Sequence, residues 1–260
     1  MSMISLEASN VSTAWLAAAA SLDHEPKRKA VHTVVRIADP VAETPAVRAA
    51  MDKLLAAQDL QSVDTVANTI FPVAIAESSR DHAELVARYV RMYPFLRKRY
   101  SQNSRGTYFG RLVQYPTGKE PFDQIGAVIT RVGIERDGGN PKHARYEATL
   151  ALPDDMTTNV PVYVPGRDNN AMAFPCLSHC SFQLDAEGHV HLLATYRSQY
   201  MVQRGYGNYL GLGRLLAHVA GQTDLQVGHL TVVAGLAHLE PPIMPVRSLL
   251  ARFANNALEL

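Results

Sequence analysis

The sequence predicts an α+β fold, with a mostly antiparallel or mixed sheet covered by helices. Three observations carry that expectation. Segments with helical and strand periodicity interleave, but without the regular βα rhythm of a doubly wound sheet. The second half is richer in strands than the first, and two of those strands form a hairpin. With 260 residues, 47% of them hydrophobic and 19% charged, the chain fits a single domain over 1–260 with a sizeable core.

The elements follow in chain order. "AWLAAAASL" predicts an amphipathic surface helix, with Asn10 and Ser12 as candidate caps. "AVHTVVRI" (30–37) is β-branched and predicts a strand, and "TPAVRAAMDKLLAAQ" (44–58) opens on Thr44-Pro45 as a helix does. "VDTVANTIFPV" is strand-like up to Pro72. "SSRDHAELVARYVRMYPFL" predicts a helix that Pro94 ends or kinks. The polar "RKRYSQNSRG" and a short segment "TYFGRLVQY" lead into a helix in "EPFDQIGAVITRVGI", followed by the turn "DGGNPK". "ARYEATLAL" and "VPVYV" are strand candidates, and "CLSHCSFQLDAEGHVHLLATYRS" predicts a hairpin turning at "AEG". A helix in "GLGRLLAHVAGQT", a long strand in "LQVGHLTVVAGLAHLE" and a helical tail "PVRSLLARFANNALEL" complete the order.

Composition removes several function classes. The net charge is +1 with both signs interspersed, so nothing draws the chain toward a nucleic acid polymer or an anionic membrane. Two cysteines in Cys-x-x-x-Cys spacing make no disulfide framework and match no zinc pattern on their own, which predicts a reducing cytoplasm. The apolar N-terminal run is too short to span a bilayer and has no basic residue before it, unlike a signal peptide. The ten histidines are scattered; His189 and His191 share a hairpin face, but no carboxylate or thiolate is placed to complete a metal site. "RGYGNYLGLGRLL" invites a dinucleotide reading and fails it. The third glycine position is Leu216, the preceding segment is polar, and no acid stands at the required distance. Its glycines instead predict close helix–sheet packing.

Cys176 follows Pro175 at the start of the hairpin and leaves two readings open, a packed core thiol or a nucleophile. The nucleophile reading has its own chemistry. A thiolate adding to C6 of a uracil ring makes C5 a carbon nucleophile, and a neighbouring guanidinium such as Arg197 favours the thiolate. Arg197 and Ser198 together suit a phosphate, as a fork plus a hydroxyl. The Asn208 amide can both donate and accept, matching uracil O4 and N3–H. Cys180 predicts a core residue, and Tyr108, Phe109 and Tyr206 predict core or pocket wall.

The order of these residues resembles thymidylate synthase and the related pyrimidine nucleotide hydroxymethylases. That family carries a Pro-Cys-His opening, an Arg-Ser pair ending the hairpin, an Asn in the next loop, a helix, and a strand leading to Gly-Asp-x-His-x-Tyr. Here Pro175-Cys176, Arg197-Ser198, Asn208 and His238 stand at the matching positions, and "DLQVG" tracks the family's strand. Upstream, "GTYFGRLVQYPTGKEPFDQIGAVITRVG" is similar to the family's Tyr-Gly-x-x-Trp-Arg segment and Asp-Gln-Ile helix. The resemblance is strongest over residues 105–240. It implies a thymidylate-synthase-like mixed sheet covered by helices, and a transferase modifying C5 of a uridine-type nucleotide or nucleoside by methylation or hydroxymethylation. Cys176 would be the nucleophile, Arg197 and Ser198 would bind phosphate, Asn208 would read the base and His238 would contact the sugar. It also implies a homodimer whose sheets pair face to face, with Arg145 reaching the partner's phosphate site. "HAELVARYV" offers Glu84 for the family's catalytic glutamate.

The departures concern mostly the one-carbon donor. Leu177 replaces the histidine after the nucleophile, Ser181 the hairpin glutamine, Ala144 one paired arginine, and Leu236 the aspartate before His238. The Arg-Thr-Gly loop and the closing C-terminal tail are missing, so the binding elements for a tetrahydrofolate donor are not recognisable. Glu240 stands where the family has a tyrosine on the sugar. A carboxylate there suits a ribose cis-diol, and a surface glutamate at a strand end is the alternative. The rival to the enzyme is a catalytically degenerate nucleotide-binding or scaffold protein on the same fold.

Overall fold

Six strands form one mixed sheet in the order β1-β2-β6-β5-β4-β3. The computed structural model describes residues 3–99, 106–117, 120–138, 146–150 and 176–254. Edge strand β1 (Ser5–Asn10) runs parallel to β2 (Lys29–Asp39), which is antiparallel to β6 (Gln226–His238). β6 is parallel to β5 (His189–Tyr200), β5 is antiparallel to β4 (Leu177–Leu184), and β3 (Glu147–Thr149) closes the other edge. The α+β class and the hairpin are as expected. VPVYV and Arg145 lie outside the described residues.

The helices differ from expectation over Val11–His24 and over Val63–Ile70, each with a physical reason. Helix α1 (Val11–His24) is capped by Asn10, whose side chain accepts from the Ser12 and Thr13 amides in a reciprocal capping box. It is a core helix rather than a surface one. Trp15 is fully buried and donates its indole N–H to Met201 O at 2.7 Å. After α2 (Pro45–Ala57), the strand-like stretch is a helix, α3 (Val63–Ile70). Ser62 caps it, and its buried residues Val63, Val66, Ala67 and Ile70 recur at helical spacing, so amphipathic period outweighs β-branched content. After the short α4 (Val73–Glu77), α5 (His82–Arg99) continues past Pro94, which neither ends it nor separates it into two helices.

Helices α6 (Tyr108–Val113) and α7 (Gln124–Gly138) lead to β3, and α9 (Ile243–Arg252) follows β6. Helix α8 (Tyr206–Gln222) is buried on nearly every side and packs against β5, β6 and α3. A Cβ at Gly213 would meet Pro40 O at 1.8 Å and one at Gly211 would meet Ala67 O at 2.7 Å, so this stretch keeps its glycines for close packing. One sheet face, with Leu192, Ala194, Leu230 and Val232, belongs to the core, while Val34, Leu193, Thr195, Thr231 and Val233 on the other stay partly exposed. Among the described residues, no helix is long and apolar enough to cross a membrane.

Candidate active site

Hairpin β4–β5 opens at Cys176. Leu177 pairs with Tyr196, the register shifts between Leu177 and His179, and the Arg197 amide donates to Cys176 O at 2.8 Å. This last bond ties Cys176 and Arg197 together across the open end of the hairpin. The Cys176 side chain is half-buried against the core. Burial pushes its thiol up from the ordinary value, and the Arg204 and Arg197 guanidiniums pull it back down. Tyr108 begins α6, where Thr107 accepts from the Gly110 amide at 3.0 Å. Its hydroxyl lies against the Leu177 and Cys176 backbone, and burial pushes it up to about 12.

Arg204, whose charge acts on the thiol, belongs to an unusual local structure. Between β5 and α8 the chain makes one π-helical turn, Met201–Gly205. Trp15 holds its first carbonyl, and the Glu240 carboxylate accepts from the Val202 amide at 3.2 Å and the Gln203 amide at 2.7 Å. The Arg204 guanidinium donates to Gln61 Oε1. The glutamate of the ribose reading thus faces inward. Glu240 is 4% exposed, with an amide on each oxygen, and burial raises its pKa against those amides.

The remaining candidates lie at the same end of the sheet. Ser198 pairs with Leu236, and Tyr200 pairs with His238 with ring centroids 5.8 Å apart. Burial, Lys29 and Arg28 lower the His238 pKa. Asn208 is buried in the first turn of α8. Arg28, which sequence inspection missed, accepts at its carbonyl from the Leu239 amide at 3.0 Å. Arg28 Nε, the Tyr196 hydroxyl and Gln199 Nε2 are buried without a hydrogen-bond partner among the described residues. Buried donors left unpaired are costly unless a ligand or water meets them.

Glu84 does not join this group. It begins α5 and pairs with Arg80 and Arg88, whereas Arg204 and Arg197 are the charges acting on Cys176. Hydrogen bonds from the Arg80 amide and guanidinium, with Arg88, hold its carboxyl at about 2, far from a group that exchanges protons near neutral pH. His189 and His191 do find a carboxylate, Asp185 at the hairpin turn, at 3.2 and 2.9 Å. That pairing is a local hydrogen-bonded cluster, and no group among the described residues could hold a metal ion. Arg28 lies in no motif, and Arg204 only opens the glycine-rich stretch, whose spacing gives its side chain no role. Only the π turn and the β2–β6 pairing bring them to this end of the sheet.

Comparison of the chain with protein-family models and with curated proteins gives no match.

Proposed function

We propose that the protein is a thymidylate-synthase-like enzyme modifying C5 of a uridine-type nucleotide or nucleoside through covalent addition of Cys176 to C6. The observation that carries this reading is the Cys176–Arg197 pairing at the hairpin mouth, with a second guanidinium, Arg204, acting on the same thiol. The Sγ–C6 bond forms as the C5–C6 π pair moves onto C5 and O4. C5 then takes a proton or a one-carbon electrophile, loses its original proton, and expulsion of the thiolate restores the ring. Arg197, Ser198 and Arg28 suit the phosphate, Asn208 the base edge and His238 the sugar. Glu84 has no part in this scheme, and Glu240 is not used to read a diol.

A homodimer paired through the partly exposed sheet face belongs to the same reading. Leu193, Thr195, Thr231 and Val233 offer the mixed small and apolar surface that an isologous sheet contact needs. A tetrahydrofolate donor finds less support. A cavity of about 310 Å³ adjoins the site through Gln61 and Thr107, and among the described residues none that lines it is charged, so these give no support to a folate's carboxylates. No step is routed through that cofactor. The degenerate nucleotide-binding reading draws its support from Glu84, ion-paired apart from Cys176.

One experiment separates the two. Tritium at C5 of a uridine nucleotide should pass to water with the wild type and not with Cys176→Ala, and a 5-fluoro analogue should add the mass of one nucleotide. Absence of release and of adduct, across uridine and cytidine nucleotides, would falsify the enzyme and leave the binding protein.

A further inference from the structure

We propose that Glu240 is a positioning residue for the Cys176 thiol: it caps the π turn Met201–Gly205 and so holds the Arg204 guanidinium beside Cys176, while Gln61 grips that guanidinium from the other side. The inference deepens the role given to Cys176 and rests on it, but it concerns the free thiol and needs no substrate. The cap and the Gln61 contact are geometric, and the charge of Arg204 acts on the thiol. A π turn leaves amides without their usual intrahelical partners, and Glu240 supplies acceptors to two of them, Val202 and Gln203, from a buried position. Arg204 lies in that turn, one residue beyond Gln203, so the turn's conformation sets the direction of its side chain. Gln61, just before α3, accepts from its Nη1. The groups acting electrically on the thiol are Arg204 and Arg197, with the Tyr108 hydroxyl beside the Cys176 backbone.

Charge and position pull in opposite directions, which makes the role testable. An ionised carboxylate near a thiol disfavours the thiolate, so a purely electrostatic Glu240 would make Cys176 more acidic on removal. A positioning Glu240 would make it less acidic, because the loosened turn takes Arg204 away.

The experiment is the pH profile of Cys176 alkylation by iodoacetamide in the full chain, with Cys176→Ser as the blank. Arg204→Gln should move the midpoint up by about one unit, slowing the reaction about tenfold below it. Glu240→Ala should move it upward too, by several-fold in rate, and should add nothing in the Arg204→Gln background. Gln61→Leu, which frees Arg204 without touching the turn, should give a smaller shift of the same sign if Glu240→Ala does not fold. The proposal is overturned by a Glu240→Ala profile that is unchanged or moves downward, by an equal shift in the Arg204→Gln background, or by an Arg204→Gln profile matching the wild type. A thiol that follows these shifts in a protein with no C5 exchange would keep the positioning role and remove the enzyme.

Discussion

Cys176 and Cys180 lie four residues apart, one just before hairpin strand β4 and one in its middle, and their surroundings differ in exposure and in the charges nearby. Cys180 is fully buried, pairs with Ala194 and Ala148, and is pushed up to about 12 by burial and then by the Glu147 carboxylate. Cys176 stands one residue before the strand, half-buried, and the charges acting on it are two guanidiniums. Residue type and sequence distance are nearly the same. Burial raises both thiols, and it is the degree of exposure and the sign of the neighbouring charge that set them apart.

The largest expected consequence is in reactivity. At pH 8 a thiol titrating at about 12 is ionised to only about one part in ten thousand, and no reagent reaches Cys180 without local opening. Native protein should therefore take one alkyl group per chain, on Cys176, and a second only when denaturant is added. Intact mass and peptide mapping measure this directly. Equal labelling of both cysteines under native conditions would erase the contrast.

A smaller effect, of opposite sense, is expected in stability. Cys180 packs in the centre of the sheet's core face, so Cys180→Ala leaves a cavity and should cost roughly 1–2 kcal/mol in urea unfolding. Cys176→Ala empties space that already borders solvent and should cost less than half of that. If the two losses are equal, Cys176 is a core thiol and the mouth of the hairpin is not a site.

Much of this contrast was legible before the structure. The hairpin and its turn come from strand periodicity and turn residues, which depend on neighbours close in the chain, whereas the grouping of Cys176, Arg197, Ser198, Asn208 and His238 rests on the family resemblance. The failures arise where distant contacts decide. Val63, Thr65 and Thr69 give α3 a strand's composition, and only its packing against α8 rewards the helical spacing of Val63, Val66, Ala67 and Ile70. β1 escaped notice because an edge strand with only Ala8 buried has no alternation to read. The alanine run of α1 reads as a surface helix because alanines hide how many sides of a helix are covered. Glu84 matched a motif by neighbours alone, and Arg80 and Arg88, four residues to either side, claim its carboxylate. Glu240 is the mirror case. Its place in a strand-end motif suggested a sugar, while its acceptors meet amides of a π turn that local sequence does not announce.

The finest division lies between the two arginines at Cys176. Arg197 is exposed, so solvent screens its charge, whereas Arg204 is half-buried and tied to Gln61. A screened guanidinium affects a nearby thiol less than a shielded one, and its exposure puts it where a ligand's phosphate could meet it. The two substitutions should then split by measurement. Arg197→Gln should slow Cys176 alkylation at neutral pH by no more than about twofold to threefold, while weakening binding of a uridine monophosphate relative to the free nucleoside by about tenfold or more. Arg204→Gln should do the reverse, with the larger effect on the thiol and little preference between nucleotide and nucleoside. Calorimetry with the two ligands, beside the alkylation rates, tests both halves at once. If Arg197→Gln proves the stronger on the thiol, Arg204 is a structural partner of Gln61 and the hairpin's own arginine activates the cysteine.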